Sequence, residues 1–317
     1  MTERFDENDS HGEPGGRIAG APGQAAFTMF ERRPSEVPVL IAVPHAGRAY
    51  SRELLADMRH GPAVALRLED RHADVLGRGV AKATGASLLI AHAPRALVDL
   101  NRAPDDVDWE MFVRDARPVH GAGQPSRRVR SGLGLVPRRL AASGDLWRRR
   151  FGKDDLVQRI DGVHVPYHAA LAGALARLRD RWGAALLIDL HSMPPLGSPG
   201  GGASAQIVVG DRFGASCHGS LVASAFAHFG QVGREAAHNR PYAGGYVLER
   251  HGDPRGNVHA MQIEVDRSRY LDSALVDPGE GMAAMIEDLS GLVRRLADVT
   301  AELGRDAGAA QWPLAAE

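Results

Sequence analysis

The chain has 317 residues, of which 44% are hydrophobic and 24% are charged, so its composition is that of a folded globular protein rather than of a disordered one. Its 38 lysines and arginines nearly balance its 39 aspartates and glutamates, and the net charge of -1 gives no overall electrostatic reason to bind nucleic acid or an anionic membrane. The single cysteine, Cys217, excludes an internal disulfide, the N-terminal segment lacks the apolar core of a signal peptide, and no apolar run approaches the roughly 20 residues of a membrane span. We therefore expect a cytoplasmic protein.

The N-terminal segment is polar and rich in glycine and proline. Residues 1–24 show no periodic apolar pattern, which predicts a flexible tail. We predict one folded domain over residues 25–305 and a short C-terminal tail over 306–317.

Short β-rich segments alternate with helical patterns along the predicted domain. The predicted strands are Val37–Val43, Ala86–Ala91, Ala184–Leu190, Ala205–Val209 and His259–Val265. The predicted helices are Asp70–Thr84, Tyr167–Trp182, Arg212–Phe229 and Glu280–Leu303. This alternation predicts a single α/β domain with a mostly parallel or mixed central sheet and helices on both faces. In such a sheet, ligand sites lie beyond the carboxyl ends of the strands.

Two histidines stand at the ends of predicted strands. His45 follows the first strand and His191 follows the third, and each could serve a structural or a metal-binding role. Zinc prefers nitrogen and carboxylate ligands, so two such histidines would need a third ligand from an acidic residue. The adjacent acids Glu69 and Asp70 are candidates, although acids at the start of a helix also act as caps. Asp189 is placed to orient His191 or to serve a buried structural role.

Further polar groups follow other β-rich segments. The arginine of the Asn101-Arg102 pair offers a planar fork that matches a carboxylate, but such arginines also form ordinary ion pairs. Alternation places Glu264 and Asp266 on one strand face, which is either the solvated face of an edge strand or a face that presents Glu264 as a general base.

Two segments interrupt the alternation of strands and helices. Residues 196–204 form a glycine-rich loop that either frames a site or is a plain surface connection. The segment from Arg114 to Arg150 carries ten arginines. Trp147 is its only residue suited to stacking on bases. A solvated insertion or a rim that attracts an anionic substrate fits this segment better than a nucleic-acid surface does.

Several motifs occur together in a characteristic order. They are PHAG at 44–47, ED at 69–70, RALVDLNR at 95–102, GLGLVPR at 132–138, PYH at 166–168, IDLHSM at 188–193, RPYAGGY at 240–246 and MQIEVDR at 261–267. From about residue 36 to 272 the chain thereby resembles the N-formylglutamate amidohydrolase family, which is similar in sheet architecture and site layout to the zinc carboxypeptidase and aspartoacylase group.

The resemblance implies a zinc-carboxypeptidase-like fold and a catalytic Zn2+. It implies that His45, His191 and a carboxylate of the 69–70 pair bind the metal, with Asp70 preferred and Glu69 as the alternative. It also implies that Asn101 and Arg102 bind a substrate carboxylate and that Glu264 is the catalytic carboxylate. We further expect Tyr242 to shape the pocket wall and Arg95 to add a second cation, unless Arg95 forms a surface salt bridge.

Two positions depart from related patterns. Carboxypeptidases place a metal-binding glutamate three residues after the first histidine, where this chain has Arg48, and many relatives have serine in place of Ala46. The expected reaction is hydrolysis of N-formyl-L-glutamate to L-glutamate and formate, with a small-molecule substrate and neither nucleic acid nor membrane as a partner. The alternatives are a carboxypeptidase-like amidase acting on another N-acyl amino acid and a non-catalytic binding protein of the same fold.

Overall fold

The computed structural model describes residues 12–116, 126–140, 143–197 and 204–310. In chain order, the strands of these residues are β1 (Glu13–Gly15), β2 (Phe27–Phe30), β3 (Val39–Val43), β4 (Ser87–Ala91), β5 (Arg139–Leu140), β6 (Gly144–Asp145), β7 (Ala185–Met193), β8 (Ile207–Gly210), β9 (Ala236–His238) and β10 (Val258–Asp266). In the described part of the chain, one mixed sheet of eight strands forms the centre of the molecule, in the order β1-β2-β4-β3-β7-β10-β8-β9, and β5 and β6 form a separate hairpin.

The helices cover both faces of this sheet. They are α1 (Arg52–Asp57), α2 (Gly61–Leu68), α3 (Ala73–Thr84), α4 (Arg127–Arg130), α5 (Lys153–Arg159), α6 (Val165–Trp182), α7 (Gly219–Gln231), α8 (Tyr246–His251) and α9 (Met282–Ala310), and a π-helical turn at Ile160–His164 joins α5 to α6. In the described residues, no helix is long and apolar enough to span a membrane. The predicted α/β architecture, with a mixed sheet and helices on both faces, is confirmed.

Strand β3 shows why the core has two layers. Its residues are all buried, and alternate side chains point to opposite faces of the sheet. Ile41 packs in the cluster that contains residues of α3, α7 and α9, whereas Leu40 packs in the cluster that contains residues of α6. A strand buried on both faces reads as a continuous apolar run, which is why the sequence pattern predicts it well.

Four neighbouring strands at the centre of the sheet are parallel. Strand β3 pairs in parallel with β4 and β7, and β7 pairs in parallel with β10. The carboxyl ends of β3, β7 and β10 therefore lie at one edge of the sheet, and the predicted site residues His45, His191 and Glu264 are at or just beyond these ends.

The ends of the domain and of two helices differ from the sequence-based expectation. Strand β1 pairs antiparallel with β2, so the folded part begins before the predicted boundary at residue 25, and α9 continues past residue 305. The β1 sequence, EPG, has no alternation of apolar and polar residues from which a strand could be predicted. Helix α7 begins at Gly219 rather than at Arg212, because Arg212 and Phe213 have positive φ angles of 53° and 57° that interrupt a right-handed helix. Helix α3 begins at Ala73, so Asp70 lies ahead of the helix and not in its first turn.

A close backbone contact follows His45. A Cβ atom on Gly47 would lie 2.1 Å from the carbonyl oxygen of Ala93, which only glycine avoids. The glycine is therefore needed for the approach of this turn to the segment after β4.

Candidate active site

Three buried side chains converge at the carboxyl edge of the sheet. His45 follows β3, His191 lies near the end of β7, and Asp70 lies in the connection between α2 and α3. One potential ligand atom from each residue lies within 4.8 Å of the others. Nδ1 of His191 is 3.0 Å from Oδ2 of Asp70, and Nδ1 of His45 is 3.6 Å from the same oxygen.

Each of the two histidines also contacts a second carboxylate through its other ring nitrogen. Nε2 of His45 is 2.8 Å from Oδ1 of Asp99, and Nε2 of His191 is 2.9 Å from Oδ2 of Asp189. An ionised carboxylate can only accept, so both Nε2 atoms carry hydrogen and donate it. In a neutral imidazole, the Nδ1 lone pair is then free to bind a ligand.

The donor set fits a zinc ion. Nδ1 of His45 is buried and has no hydrogen-bond partner in the described residues, although a buried polar atom normally has one. Two imidazole nitrogens and one carboxylate are ligands that zinc prefers, and a catalytic zinc site uses three protein ligands and keeps an open position. Histidine ligands of metals commonly donate their other N–H to a carboxylate, as both do here.

The charges in this cluster depend on one another. Burial alone would raise the pKa of Asp70, but the hydrogen bond from His191 and the charges of His191 and His45 hold that pKa well below its usual range. Burial alone would lower the pKa of His191, but the charge and hydrogen bond of Asp189, together with Asp70, hold it well above its usual range. A cation is thus electrostatically favoured among these groups, whether it is a proton on an imidazole or a metal ion.

Arg267 fixes the other oxygen of Asp70. One terminal nitrogen, Nη2, donates to Oδ1 of Asp70 at 3.2 Å and to the carbonyl oxygen of Glu69 at 2.7 Å, and Nε donates to Oγ of Ser192 at 3.1 Å. Glu69 instead pairs with Arg71 at 3.0 Å and does not line the cleft. Arg267 was not among the site residues predicted from the sequence, although its position directly after β10 in the MQIEVDR motif was a signal that could have identified it.

Asp99 joins the histidine cluster to two arginines. It is fully buried and accepts hydrogen bonds from His45 and from the backbone N–H of Asn101 at its Oδ1. Both Nε and Nη2 of Arg95 lie 2.9 Å from its Oδ2, and Nε of Arg102 lies 4.0 Å away. Burial alone would raise the pKa of Asp99, but the charges of Arg95, His45 and Arg102 together hold it well below its usual range. The salt bridge of Arg95 is therefore an internal one rather than the surface pair considered from the sequence.

Asn101 and Arg102 are held rigidly. Oδ1 of Asn101 accepts from the backbone N–H of Val247 at 3.0 Å, and a Cβ on Gly245 would clash with this amide at 2.5 Å. Arg102 donates from Nε to the carbonyl of Leu133 at 2.9 Å and from Nη1 to the carbonyl of Asn101 at 2.6 Å. Among the residues that the structure describes, none engages the other N–H of Nη1 or the two on Nη2, which remain for a ligand.

Three buried histidines lie beneath this loop. Nε2 of His164 is 2.9 Å from the carbonyl of Arg102, and Nε2 of His168 is 3.0 Å from the carbonyl of Leu100. Burial lowers the pKa of His168 to about 2 and that of His251 to about 4, so both rings are neutral. Because Nε2 of His168 donates to Leu100, its Nδ1 accepts from Nε2 of His251 at 2.9 Å. These contacts tie the rings to the backbone of the loop and to one another, which is a structural role.

Glu264 lies beside His191 across the parallel pair of β10 and β7. It is 7% exposed in a central strand, which excludes the solvated edge strand that the sequence had left open. Burial is the main cause that raises the pKa of Glu264 to about 7, with Asp70 and Asp189 adding to the rise. Nε2 of Gln262 donates to its Oε1 at 2.9 Å. A carboxyl group that titrates near neutrality is suited to accept and return a proton.

One large cleft contains these groups. Its volume is about 1370 Å³, and its lining includes His45, Asp70, Arg95, Asn101, Arg102, His191, Tyr242 and Glu264. The structure therefore brings together the predicted site residues except Glu69, the alternative to Asp70. It adds Gln262, Arg267 and, from the arginine-rich segment, Arg128, Arg130 and Arg138. Of the two interrupting segments, residues 117–125, 141–142 and 198–203 lie outside the described residues.

We expect Asp70→Asn to reduce zinc occupancy sharply, because it removes the carboxylate that faces both Nδ1 atoms. Glu69→Gln is the matched control, since its carboxylate pairs with Arg71. Zinc content per chain, measured by elemental analysis after equilibration with limiting zinc, checks this expectation. Equal occupancy in the two variants would contradict the assignment of Asp70.

Named relatives resemble most of this chain. An N-formylglutamate deformylase of Pseudomonas aeruginosa is 30% identical over 277 residues, covering 85% of this chain and 95% of that protein. An N-formylglutamate deformylase of Pseudomonas putida is 31% identical over 241 residues, covering 74% of this chain and 82% of that protein.

Solved structures show the same fold. The crystal structure of an N-formylglutamate amidohydrolase from Ralstonia eutropha JMP134 matches with a TM-score of 0.79 and 29% identity, over 88% of this chain and 99% of that one. A gene product of Agrobacterium tumefaciens, at 16% identity and a TM-score of 0.53, shares the fold. The model of the N-formylglutamate amidohydrolase family matches residues 37–271, close to the range over which the motifs occur. The chain therefore belongs to the N-formylglutamate amidohydrolase family.

Proposed function

We propose that this protein is a zinc-dependent amidohydrolase that hydrolyses N-formyl-L-glutamate to L-glutamate and formate. The observation that carries the proposal is the arrangement of His45, Asp70 and His191, with both Nδ1 atoms directed at one carboxylate oxygen and Glu264 on the adjacent strand. The choice of N-formyl-L-glutamate as the substrate is supported by the names of the relatives from the two Pseudomonas species and from Ralstonia.

A zinc ion held by His45, Asp70 and His191 would supply a Lewis acid that polarises the scissile carbonyl and makes water a stronger acid. The side chains around it have separate tasks. Asp99 and Asp189 hold the two imidazoles in the tautomer that presents Nδ1. Arg267 fixes the orientation of Asp70 through Oδ1.

Glu264 is the proposed general base and acid. The hydrogen bond from Gln262 to Oε1 fixes the orientation of this carboxyl group, which accepts the proton of the attacking water. The same carboxyl group then returns the proton to the amide nitrogen as the C–N bond breaks, which yields formate and the free amine. The raised pKa lowers the cost of holding this proton between the two steps.

Arg102 is the proposed partner of the substrate α-carboxylate. Its Nε and Nη1 donate to backbone carbonyls, which fix the direction of the guanidinium and leave the outer N–H groups toward the cleft. Asn101 lies next to His191 and lines the same cleft. A rigid fork of this kind orients a carboxylate more exactly than a lysine would.

The alternative functions have less support. A non-catalytic binding protein would not need a buried Glu264, whose ionisation is costly away from water. A nucleic-acid surface on the arginine-rich segment has little support, because Arg138 pairs with Asp108 and Arg149 pairs with Asp57 and Asp155. Another N-acyl amino acid would use the same metal cluster, and only a comparison of substrates separates that alternative.

The test is a panel of N-acyl amino acids, assayed for release of the free amine. We expect N-formyl-L-glutamate to be turned over with the highest kcat/KM. Dialysis against a chelator should abolish turnover, and Zn2+ should restore it. Full activity of protein shown by elemental analysis to be free of metal would refute the metal dependence, and a higher kcat/KM for another N-acyl compound would refute the substrate.

We expect Glu264→Gln to lower kcat by about 10²–10⁴-fold or more while zinc content is retained, because the amide cannot accept a proton. Steady-state kinetics and elemental analysis on the same preparation measure both. Loss of zinc together with activity would instead make Glu264 a metal ligand.

The same variant gives a second readout in the metal-free protein. Since the folded-state pKa of Glu264 is about 7, above the ordinary value of 4.5, the native state binds this proton more tightly than the unfolded state. The wild type therefore loses stability as the pH rises from about 4.5 to about 7. Glu264→Gln should melt at a higher temperature than the wild type at pH 8, and the difference should disappear near pH 4. An unchanged difference across this range would contradict a buried, titrating carboxylate.

We expect His164→Ala to raise KM more than it lowers kcat, because it removes the donor to the carbonyl of Arg102 without touching the metal cluster. Leaving a buried hydrogen-bond acceptor without its donor typically costs about 1–3 kcal/mol of free energy. His164→Gln, whose amide can donate, should recover part of the loss, and the exposed His60→Ala is the control. A fall in kcat alone would contradict this positioning role.

A further inference from the structure

Several of the arginines that line the cleft already have an acidic partner. These pairs are Arg95 with Asp99, Arg138 with Asp108, Arg212 with Glu249 and Arg267 with Asp70. Arg128 differs from them. Its side chain is exposed to the cleft, and no hydrogen bond or ion pair joins its guanidinium to another described residue.

The backbone of Arg128 is nevertheless well fixed. Helix α4 is capped by Ser126, whose Oγ accepts from Val129 N–H at 3.1 Å, and Val129 is buried. The carbonyl of Arg128 accepts from Oγ of Ser131 and from N–H of Leu133, both at 2.8 Å. The guanidinium therefore extends from an anchored position and not from a free loop.

Leu133 also connects Arg128 to Arg102. Its N–H donates to the carbonyl of Arg128, and its own carbonyl accepts from Nε of Arg102 at 2.9 Å. Leu133 therefore holds both the backbone of Arg128 and the guanidinium of Arg102, and both arginines line the same cleft. Burial, together with the charges of Arg95 and Arg128, lowers the pKa of Arg102, which shows that the cations repel each other. A ligand with two negative charges would relieve this repulsion, whereas a singly charged ligand would relieve it only at one arginine.

We propose that Arg128 binds the side-chain carboxylate of the substrate while Arg102 binds its α-carboxylate, so that the cleft selects N-acyl derivatives of dicarboxylic amino acids. This inference rests on the proposed function and assigns its specificity. It moves the role of second cation from Arg95, expected from the sequence, to Arg128, because the charge of Arg95 is already paired with the buried carboxylate of Asp99, whereas no described acidic residue pairs with Arg128.

The test compares N-formyl-L-glutamate with N-formyl-L-glutamine, which has nearly the same shape but no side-chain charge. In the zinc-loaded enzyme, Arg128→Gln should lower the ratio of the two kcat/KM values about tenfold, mainly through KM for N-formyl-L-glutamate, as expected for a charge-assisted hydrogen bond at a partly exposed site. Arg127→Gln is the matched control, because Arg127 lies on the same helix, is exposed and does not line the cleft. That variant should keep the wild-type ratio.

Each outcome has one interpretation. Equal losses for both substrates in Arg128→Gln would overturn the inference and make Arg128 a general binding or structural residue. An unchanged ratio with normal turnover of N-formyl-L-glutamate would overturn the inference and leave the proposed function intact. Failure of the wild type to hydrolyse either compound would overturn the proposed function itself.

Discussion

The parallel alignment of β3, β7 and β10 is the constraint on which the site depends. Because these strands end at one edge of the sheet, His45, His191 and Glu264 meet there although the chain separates the first from the last by more than 200 residues. The register places Glu264 directly opposite His191. The backbone hydrogen bonds between β10 and β7 thus hold a proton-accepting group beside a proposed metal ligand. Side chains on paired central strands have little freedom to move apart, which is a suitable basis for a catalytic arrangement.

The sheet edge concentrates buried negative charge. Asp70, Asp99, Asp189 and Glu264 are all buried there, and unpaired carboxylates in such a position would be strongly destabilising. Arg95 and Arg267 neutralise Asp99 and Asp70 in part, and the two histidines donate to Asp99 and Asp189. Without a metal, protonation reduces the remaining negative charge, as the raised pKa values of His191 and Glu264 indicate. Zinc binding would replace protons by a divalent cation, so we expect metal affinity to fall as the pH is lowered.

Local patterns in the sequence were sufficient for part of the site. Apolar runs predicted β3 and β7, and the position of His45 and His191 at their ends predicted that these residues meet. Period-two alternation placed Glu264 on a definite face, but it could not decide whether β10 is an edge strand, since this depends on its pairing with both β7 and β8. The contact of Arg267 with Asp70 spans 197 residues and depends on tertiary packing. The tautomers of the histidines were likewise beyond prediction, because they follow from which carboxylates lie near each Nε2.

The segment Asp99–Arg102 couples the proposed metal and substrate sites. Its first residue accepts from His45, and its last is the proposed carboxylate partner, while His164 and His168 donate to the carbonyls of Arg102 and Leu100. The buried, neutral state of His168 matters here, because a second proton on its ring would remove the acceptor for His251 and turn a stabilising contact into repulsion. A displacement of this short segment would therefore alter the tautomer control at His45 and the direction of Arg102 at once. For this reason the histidines beneath the segment are part of the machinery that positions the site, even though none of them reaches the reacting atoms.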